Sequence, residues 1–571
     1  MRMESLRKFA SRNMLTLLFI GVLIVTLAFV FLIGPGTIVV PEDYPTIQEA
    51  IKAATPGETI FVKEGIYYEN LIIDKSVRLI GERANRTIID GQRKGVVIKV
   101  TTNDVFIGNL TIRNSGLAAA IDAGIKLDSV ENCIISNNIL LNNSNGILLS
   151  SSFNNTIIKN KVVASKNAGI CFQKSDRNDV LENNLTENEV GISLSFSKEN
   201  ILRRNIMVRN KYNFGVWGET LSDFVNDVDI SNTVNNKPIY YFINKRGLVI
   251  NHQTFPSIGY LALINCSNMM VQGLSLTDNI QGVLLAFAQN ITLKDLSLKN
   301  NFHGVSLIHS SNNIISGGEI RGNAHGVWLD SSSNNTISWN NVESNSENGV
   351  TLSDSYWNII LCNNIVANGG TYGGFGADIA SSFNIIFKNK ILNNFCGIKV
   401  GSNNTILENV ISGSSRSGIN LGGHGNVVSK NNVTNNLEGI HVESECNVIS
   451  RNYIADNLVG IYLYFTSSNI IIENNITANR AGILFEYAYN NVIYHNNFIG
   501  NVPEQVNTSP AQSNTWDNGY PSGGNYWSDY TGVDEYSGPY QNETGSDGIG
   551  DTPYVIDENN TDRYPLMAPF S

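Results

Sequence analysis

Charge is what this chain has least of. Asp, Glu, Lys and Arg make up only 16% of its 571 residues, and 50 acids against 39 bases leave a formal charge of −11. No basic stripe stands ready to meet phosphates, which speaks against a nucleic-acid partner. Cysteine is sparse as well. Cys133, Cys171, Cys266, Cys362, Cys396 and Cys446 fall at unlike places and form no C-x-x-C, so they read as buried thiols rather than disulfides or a metal centre. Helical periodicity is missing between residues 60 and 500, which leaves strands and turns to build whatever core there is.

Repetition is what the chain has in abundance. A Gly-Ile/Val dipeptide opens a short apolar alternation at Gly124, Gly146, Gly169, Gly191 and Gly215, and again from Gly282, Gly304 and Gly326 through Gly482, with a Gly-Ala variant at Gly376. Most steps are 21 to 24 residues. Asn-x-Ile/Val pieces, such as those at Asn313, Asn335 and Asn358, keep the same beat. Two phase-locked marks over roughly 370 residues signal a solenoid. Stretches such as Gly326–Leu329 and Asn469–Ile472 are short, β-branched and bounded by Gly, Asn and Ser, so each coil reads as strand, turn, strand, turn. One coil cannot bury its own apolar face. Stacking supplies the core, with Ile/Val and Leu of each Gly-Ile-x-Leu inward and x outward. The expected fold is all-β, a parallel β-helix of about twenty coils and on the order of 95 Å in length. The asparagines suit a repeated turn, tolerating the left-handed conformation and stacking into amide ladders. Several, such as Asn109, Asn142, Asn334 and Asn475, open Asn-x-Ser/Thr sequons.

The ends differ from the middle. Residues 14–33 carry no charge and follow Arg2, Arg7, Lys8 and Arg12, so they read as a single-pass membrane anchor with the N-terminus in the cytoplasm and the remainder extracellular or periplasmic. A cleaved signal peptide is the rival reading, but the run is long and no Ala-x-Ala follows. Thr46-Ile47-Gln48-Glu49 predicts a capping box opening a short helix over the bottom of the solenoid. The expected domains are a stub and anchor over 1–36, a β-helix over 37–500 with an irregular insertion at about 218–262, and a C-terminal cap over 501–571.

Thr46–Ile51, Gly57–Val62, Gly65–Tyr67 and Leu79–Gly81 resemble the first coils of pectin-lyase-like right-handed β-helices. The Gly-Ile and Asn coils, Lys237–Tyr241, Gly524–Tyr530 and Asp547–Tyr554 are similar to the NosD-like branch of that superfamily, over nearly everything after residue 36. The resemblance implies the fold and an exported protein. It does not imply one activity, since the architecture hosts lyases, hydrolases, epimerases, adhesins and non-enzymes. The branch's namesake is linked to copper-site maturation in nitrous oxide reductase. Copper would want His, Met or Cys clusters, and the seven histidines are scattered, so copper is not expected. His303 and His325 alone precede successive repeat glycines, and they read either as a weak metal pair or as a stacked turn pair.

Counting from each repeat glycine gives the remaining candidates. Trp328 and Asp378 fall at outward x positions, Asp330 two residues beyond Trp328, and His309, Ser331 and Asp354 five residues after their glycines. Asp330, Asp354 and Asp378 are candidate catalytic acids beside an aromatic platform, though ordinary solvated surface acids are the leading reading of all three. No motif of a polysaccharide-cleaving family accompanies them. Trp328, Tyr462, Tyr464, Tyr487 and Tyr489 are candidate carbohydrate-binding aromatics, the tyrosines reading alternatively as packing under the cap. Asp547, Asp551 and Asp557 offer hard oxygen ligands for calcium, or hold their loop by Asp-to-backbone bonds. The leading expectation is a membrane-anchored β-helix that binds carbohydrate or serves as a structural cell-envelope element without catalysis and with no required cofactor. A polysaccharide lyase or hydrolase is the second reading and a metal-maturation factor the third.

Overall fold

The structure, a computed structural model, describes residues 36–370, 373–508 and 512–571. The expected anchor at residues 14–33 lies outside them. Among the described residues no helix is long and apolar enough to cross a membrane. The chain divides into two compact units, Met1–Lys166 and Asn167–Ser571.

In the first unit, Thr37–Val40 pairs in parallel with Thr59–Val62, which pairs with Arg78–Gly81 and, through that strand, with Phe106–Gly108. The predicted helix forms over Ile47–Ala53 and buries Ile47, Ala50 and Ile51 against the first strands. Thr46 accepts from the Glu49 N–H at 3.2 Å, which is one of the two bonds of the expected capping box. Two further orphan donors, the N–H groups of Ile47 and Gln48, are taken at 2.9 Å each by Glu69 from the neighbouring coil.

The second unit stacks three long parallel sheets. One runs from Lys237–Ile243 by way of His303–Ile308 and His325–Asp330 to Glu504–Thr508, with Val305 level with Val327 and Val327 with Val350. The other two have twelve strands each. Val305, Leu307, Val327 and Leu329 are fully buried, so the alternation read from Gly-Ile-x-Leu points as expected.

Both repeat marks have a physical cause. At Gly326 a Cβ would lie 2.3 Å from the Gly349 carbonyl oxygen, and at Gly304 2.5 Å from that of Gly326, so this corner admits no side chain. The asparagines form three ladders rather than the one legible in the repeat. Asn313 gives its backbone N–H to Asn335 Oδ1 at 2.9 Å, Asn335 gives its own to Asn358 at 2.8 Å, and the series continues to Asn514. A second ladder passes through Asn340, Asn363 and Asn389, and a third through Asn301, Asn323 and Asn345. One part of the turn expectation is corrected: the left-handed residue is the one before the ladder asparagine, at Asn312, Asn334, Trp357 and Phe383 (φ 59°, 58°, 59° and 61°). The ladder residue is there for its amide, which satisfies buried backbone groups that a side chain of another shape would orphan.

Gly215 also moves from its expected place. It pairs with Ser193, while Asn213 stands beside Gly191, so Gly215 occupies an outward position. Beyond it the irregular segment holds a 3₁₀ turn at Leu221–Phe224 and an antiparallel pairing of Thr233–Val234 with Lys237–Pro238. Gln281 repairs the ladder there: its side-chain oxygen accepts from the Val216 N–H at 3.3 Å and its Nε2 donates to the Val216 carbonyl at 3.0 Å. At the C-terminal end Phe498 stacks on Trp527 (4.3 Å), which stacks on Tyr554 (4.1 Å). All six cysteines are free, four of them buried.

Candidate functional site

The sheet that carries the repeat glycines faces outward with alternate residues, and its register sets Ser306, Trp328, Thr351, Asp378 and Lys399 in one column. Asp378 is half-buried, and burial pushes its carboxyl up while Lys399 in the next coil pulls it down. Asp330 pairs with Ser353 in the neighbouring column. Two coils and two residues separate Asp330 from Asp378, about 12 Å between their Cα atoms at ordinary strand spacing. Asp354 and His309 are exposed at left-handed turns (φ 45° and 47°), and Ser331 in the same rank is half-buried at another (50°). Asp354 follows Ser353, the register partner of Asp330, and Asp378 stands two coils above Trp328.

Higher on the same face the register does gather side chains. His441 and Tyr462 are successive outward residues, their rings 4.8 Å apart edge to face. His441 Nδ1 lies 2.7 Å from Glu438 and its Nε2 3.0 Å from Glu443. Burial raises the Glu438 carboxyl, but hydrogen bonds from His441 and Ser417 outweigh it and leave a net lowering. The Tyr462 hydroxyl donates to Glu486, and burial together with that bond raises the phenol well above its ordinary value. Tyr464 meets Tyr462 at 5.7 Å and Phe465 at 4.7 Å, and Phe465 stacks on Tyr487 at 4.5 Å. Tyr464, Phe465 and Tyr487 are 37%, 59% and 44% exposed, so they form a surface platform and not packing beneath the cap. Tyr489 stands past the turn, bridged to Ser467, and joins none of these ring pairs.

Lower down, His303 and His325 are level in adjacent strands, with ring centroids 5.2 Å apart. Trp328 lies parallel to His303 at 4.9 Å and edge-on to His325 at 4.9 Å, while Phe302 and Trp217 close the other sides of His303. His325 Nε2 meets Glu347 at 2.9 Å. The Nδ1 atoms of both histidines, and the Ser306 hydroxyl, are buried without a hydrogen-bond partner. Burial, then the neighbouring His325, holds His303 well below the ordinary histidine range; burial lowers His325 also, against the pull of Glu347.

The NosD family, described as periplasmic copper-binding proteins, matches residues 52–227, 222–400 and 379–532. This chain belongs to the NosD family. Among solved structures, this NosD-family chain is similar to the A-module of an Azotobacter vinelandii mannuronan C-5 epimerase (14% identity, 71% of this chain and 93% of that one, TM-score 0.25). It is also similar to an alginate lyase from a Paenibacillus species (12%, 62% and 97%, TM-score 0.22) and to pectin methylesterase from carrot (11%, 46% and 83%, TM-score 0.26). These are members of the pectin-lyase-like β-helix superfamily, and the likeness lies in the stacked coils alone. No curated protein matches the chain.

In the cap of this NosD-family chain, Asp551 accepts from the Glu535 and Tyr536 N–H groups at 2.9 and 3.0 Å, and Asp547 from that of Ile549 at 3.1 Å. Asp557 accepts from Thr508, Asn559 and Asn560. Asp547 thus holds its own turn, Asp551 ties it to residues 535–536, and Asp557 joins its turn to Thr508. Among the described residues no three His, Cys, Asp or Glu side chains gather as a metal cluster. Two features of the face escaped the sequence reading. Phe465 and Tyr487 each fall five residues after a repeat glycine, and their stacking was legible from that shared offset. The Glu438–His441–Glu443 grouping carries no motif, because its members meet through side-chain reach and not through a fixed spacing.

Proposed function

We propose that this NosD-family protein is an envelope-facing β-helix, held to the membrane by residues 14–33, that binds a neutral glycan on the Tyr464–Phe465–Tyr487 platform without cleaving it. The observation that carries the reading is the exposed stack of Phe465 on Tyr487 beside Tyr464. Aromatic faces offer apolar area and a negative quadrupole, which suits the C–H face of a sugar ring. Glu443 and Glu486 stand at the edge of the platform, and the molecule as a whole is acidic. A uronate chain would meet like charge there, whereas hydroxyl groups would find carboxylate acceptors.

Isothermal titration of the full-length protein in detergent with neutral and uronate oligosaccharides tests the reading. The expected result is saturable binding of at least one neutral glycan, weakened about tenfold by Tyr487→Ala, the loss of one stacked aromatic contact. Retention of uronates alone, or full affinity in the Tyr487→Ala variant, would refute it. New reducing or unsaturated ends that vanish with Asp330→Ala would instead make the protein an enzyme.

A further inference from the structure

One outward sheet face carries no charge over nine successive coils. In the twelve-stranded sheet that runs from Ile314–Ser316 to Val492–Tyr494, the middle residue of each three-residue strand points into the core and the first and third point out. The first residues, in register from Ile314 by way of Ile385 and Thr405 to Val492, are Ile, Val or Thr without exception. Ile314, Ile359, Ile385, Val427 and Ile470 among them are 36–43% exposed. The third residues, from Ser316 to Tyr494, run Ser, Ser, Leu, Phe, Leu, Ser, Ser, Ile, Tyr. The outward columns of the other two sheets are broken by charge, at Asp378 and Lys399 in one and at Glu319 and Lys390 in the other.

We propose that this face binds a second copy of the chain, the two stacks antiparallel about a twofold axis that runs along the strands between Leu407 and Ser429. In the third-residue column that operation sets Leu407 over Ser429, Phe387 over Ser450 and Tyr494 over Ser338, a bulky side chain over a small one each time. It lays the Ile, Val and Thr column on its own copy. Each contact recurs by symmetry, as an isologous interface requires. Parallel stacks would instead set Ile359 against Leu361 and Ile385 against Phe387, bulk on bulk in adjacent coils. Nine strands about 4.8 Å apart, each about 15 Å from corner to corner, offer roughly 650 Å² per copy and about 1,300 Å² in the pair, inside the range of stable interfaces. An uncharged patch of that size exceeds the largest that ordinary monomers leave bare. Two copies of a chain at −11 repel one another in general, and here neither brings a charge to the contact. The glycan platform lies on a different sheet, so pairing and glycan binding are independent.

Sedimentation equilibrium of the full-length protein in density-matched detergent tests the pairing, and a dimer at micromolar concentration is expected. Ile385→Glu buries a charge at two symmetric places and should raise the dissociation constant more than about 100-fold. Tyr453→Glu, at an exposed outward position of the third sheet, should leave it within about twofold. Cross-linking tests the arrangement. Cys362 and Glu473 occupy the same left-handed corner five coils apart, about 24 Å within one chain, yet the axis brings them level between copies. In a Glu473→Cys, Cys446→Ser chain a short bis-maleimide should therefore join Cys362 of one copy to position 473 of the other, as peptide mapping would read. A monomer throughout the micromolar range, a dimer that Ile385→Glu leaves intact, or bridges that join only like positions would each overturn the proposal. The mass of the unmodified protein decides even if a variant fails to fold.

Discussion

Removing one rung from an asparagine ladder should loosen a single coil and leave its distant neighbours intact. Asn431 is 1% exposed. Its Oδ1 accepts the Asn409 backbone N–H at 2.9 Å and Asn409 Nδ2 at 3.0 Å, while its Nδ2 donates to the carbonyls of Ile406 and Ser429 at 2.9 and 3.0 Å. In Asn431→Ala the Asn409 backbone N–H loses its acceptor outright, whereas Asn409 Nδ2 keeps the carbonyls of Ile386 and Leu407. One orphaned buried donor costs about 2 kcal/mol, and two carbonyls that each lose a donor add about 0.5–1 kcal/mol apiece, for about 3–4 kcal/mol. A solenoid is held by nearest-neighbour interfaces, so this energy appears as local opening and not as one global transition. Amide hydrogen exchange resolved along the chain should therefore accelerate a few hundredfold at Asn409 and the strands beside it, at about 1.4 kcal/mol per decade. Exchange far up and down the stack should stay unchanged. Acceleration of less than tenfold at Asn409, or an equal loss of protection throughout, would refute the view that each rung secures its own interface.

Two other perturbations follow from the same geometry. Gly326→Ala places a Cβ 2.3 Å from the Gly349 carbonyl oxygen and 2.7 Å from Val342, so it should destabilise by about 3 kcal/mol or more and raise sensitivity to limited proteolysis, while Gly273→Ala, at φ 67° with open space around it, should cost only about 1 kcal/mol. Asp562 ends a ladder: it accepts from the Asn525 N–H at 2.7 Å and from Trp527 Nε1 at 2.8 Å, yet burial pushes its carboxyl up to about 7. Because the folded cap holds this proton more tightly than the unfolded chain does, its contribution is full below about pH 4 and is lost as pH rises toward 7. Trp527 fluorescence under denaturant should report a cap less stable at pH 8 than at pH 5, and a slope that persists in Asp562→Asn would sink the assignment.

The fold was legible because its two marks are backbone necessities. Gly304 and Gly326 stand where the next coil's carbonyl leaves no room for a Cβ, and Asn335 and Asn358 stand where a buried amide must bridge coils. Any residue that failed at either place would leave a gap in the sequence beat as well as in the structure. Legibility ended where another side chain could do the same work. Gln281 replaces a strand pairing at Val216, Ser310 gives and takes bonds at a ladder position, and Asp562 closes the series in place of an asparagine. Gly215 misled for the converse reason, since it carries the mark at an outward position that does not require it.

The outward columns follow a different rule, and that is why the candidate site was read only in part. An outward residue is constrained by register but not by packing, so its identity is free to change from coil to coil: Trp328, Thr351, Asp378 and Lys399 share a column and no chemistry. Register alone therefore predicts which residues are level, as it did for His303 and His325, but not which ones touch. Contact depends on side-chain length and on the direction of the turn. Tyr462, Tyr464, Phe465 and Tyr487 are long enough to meet across two coils. A solenoid of this kind separates its chemistry from its stability: the Gly, Asn and Ile positions set the scaffold, and function has to be sought where large or unpaired side chains converge on the face that the scaffold leaves free.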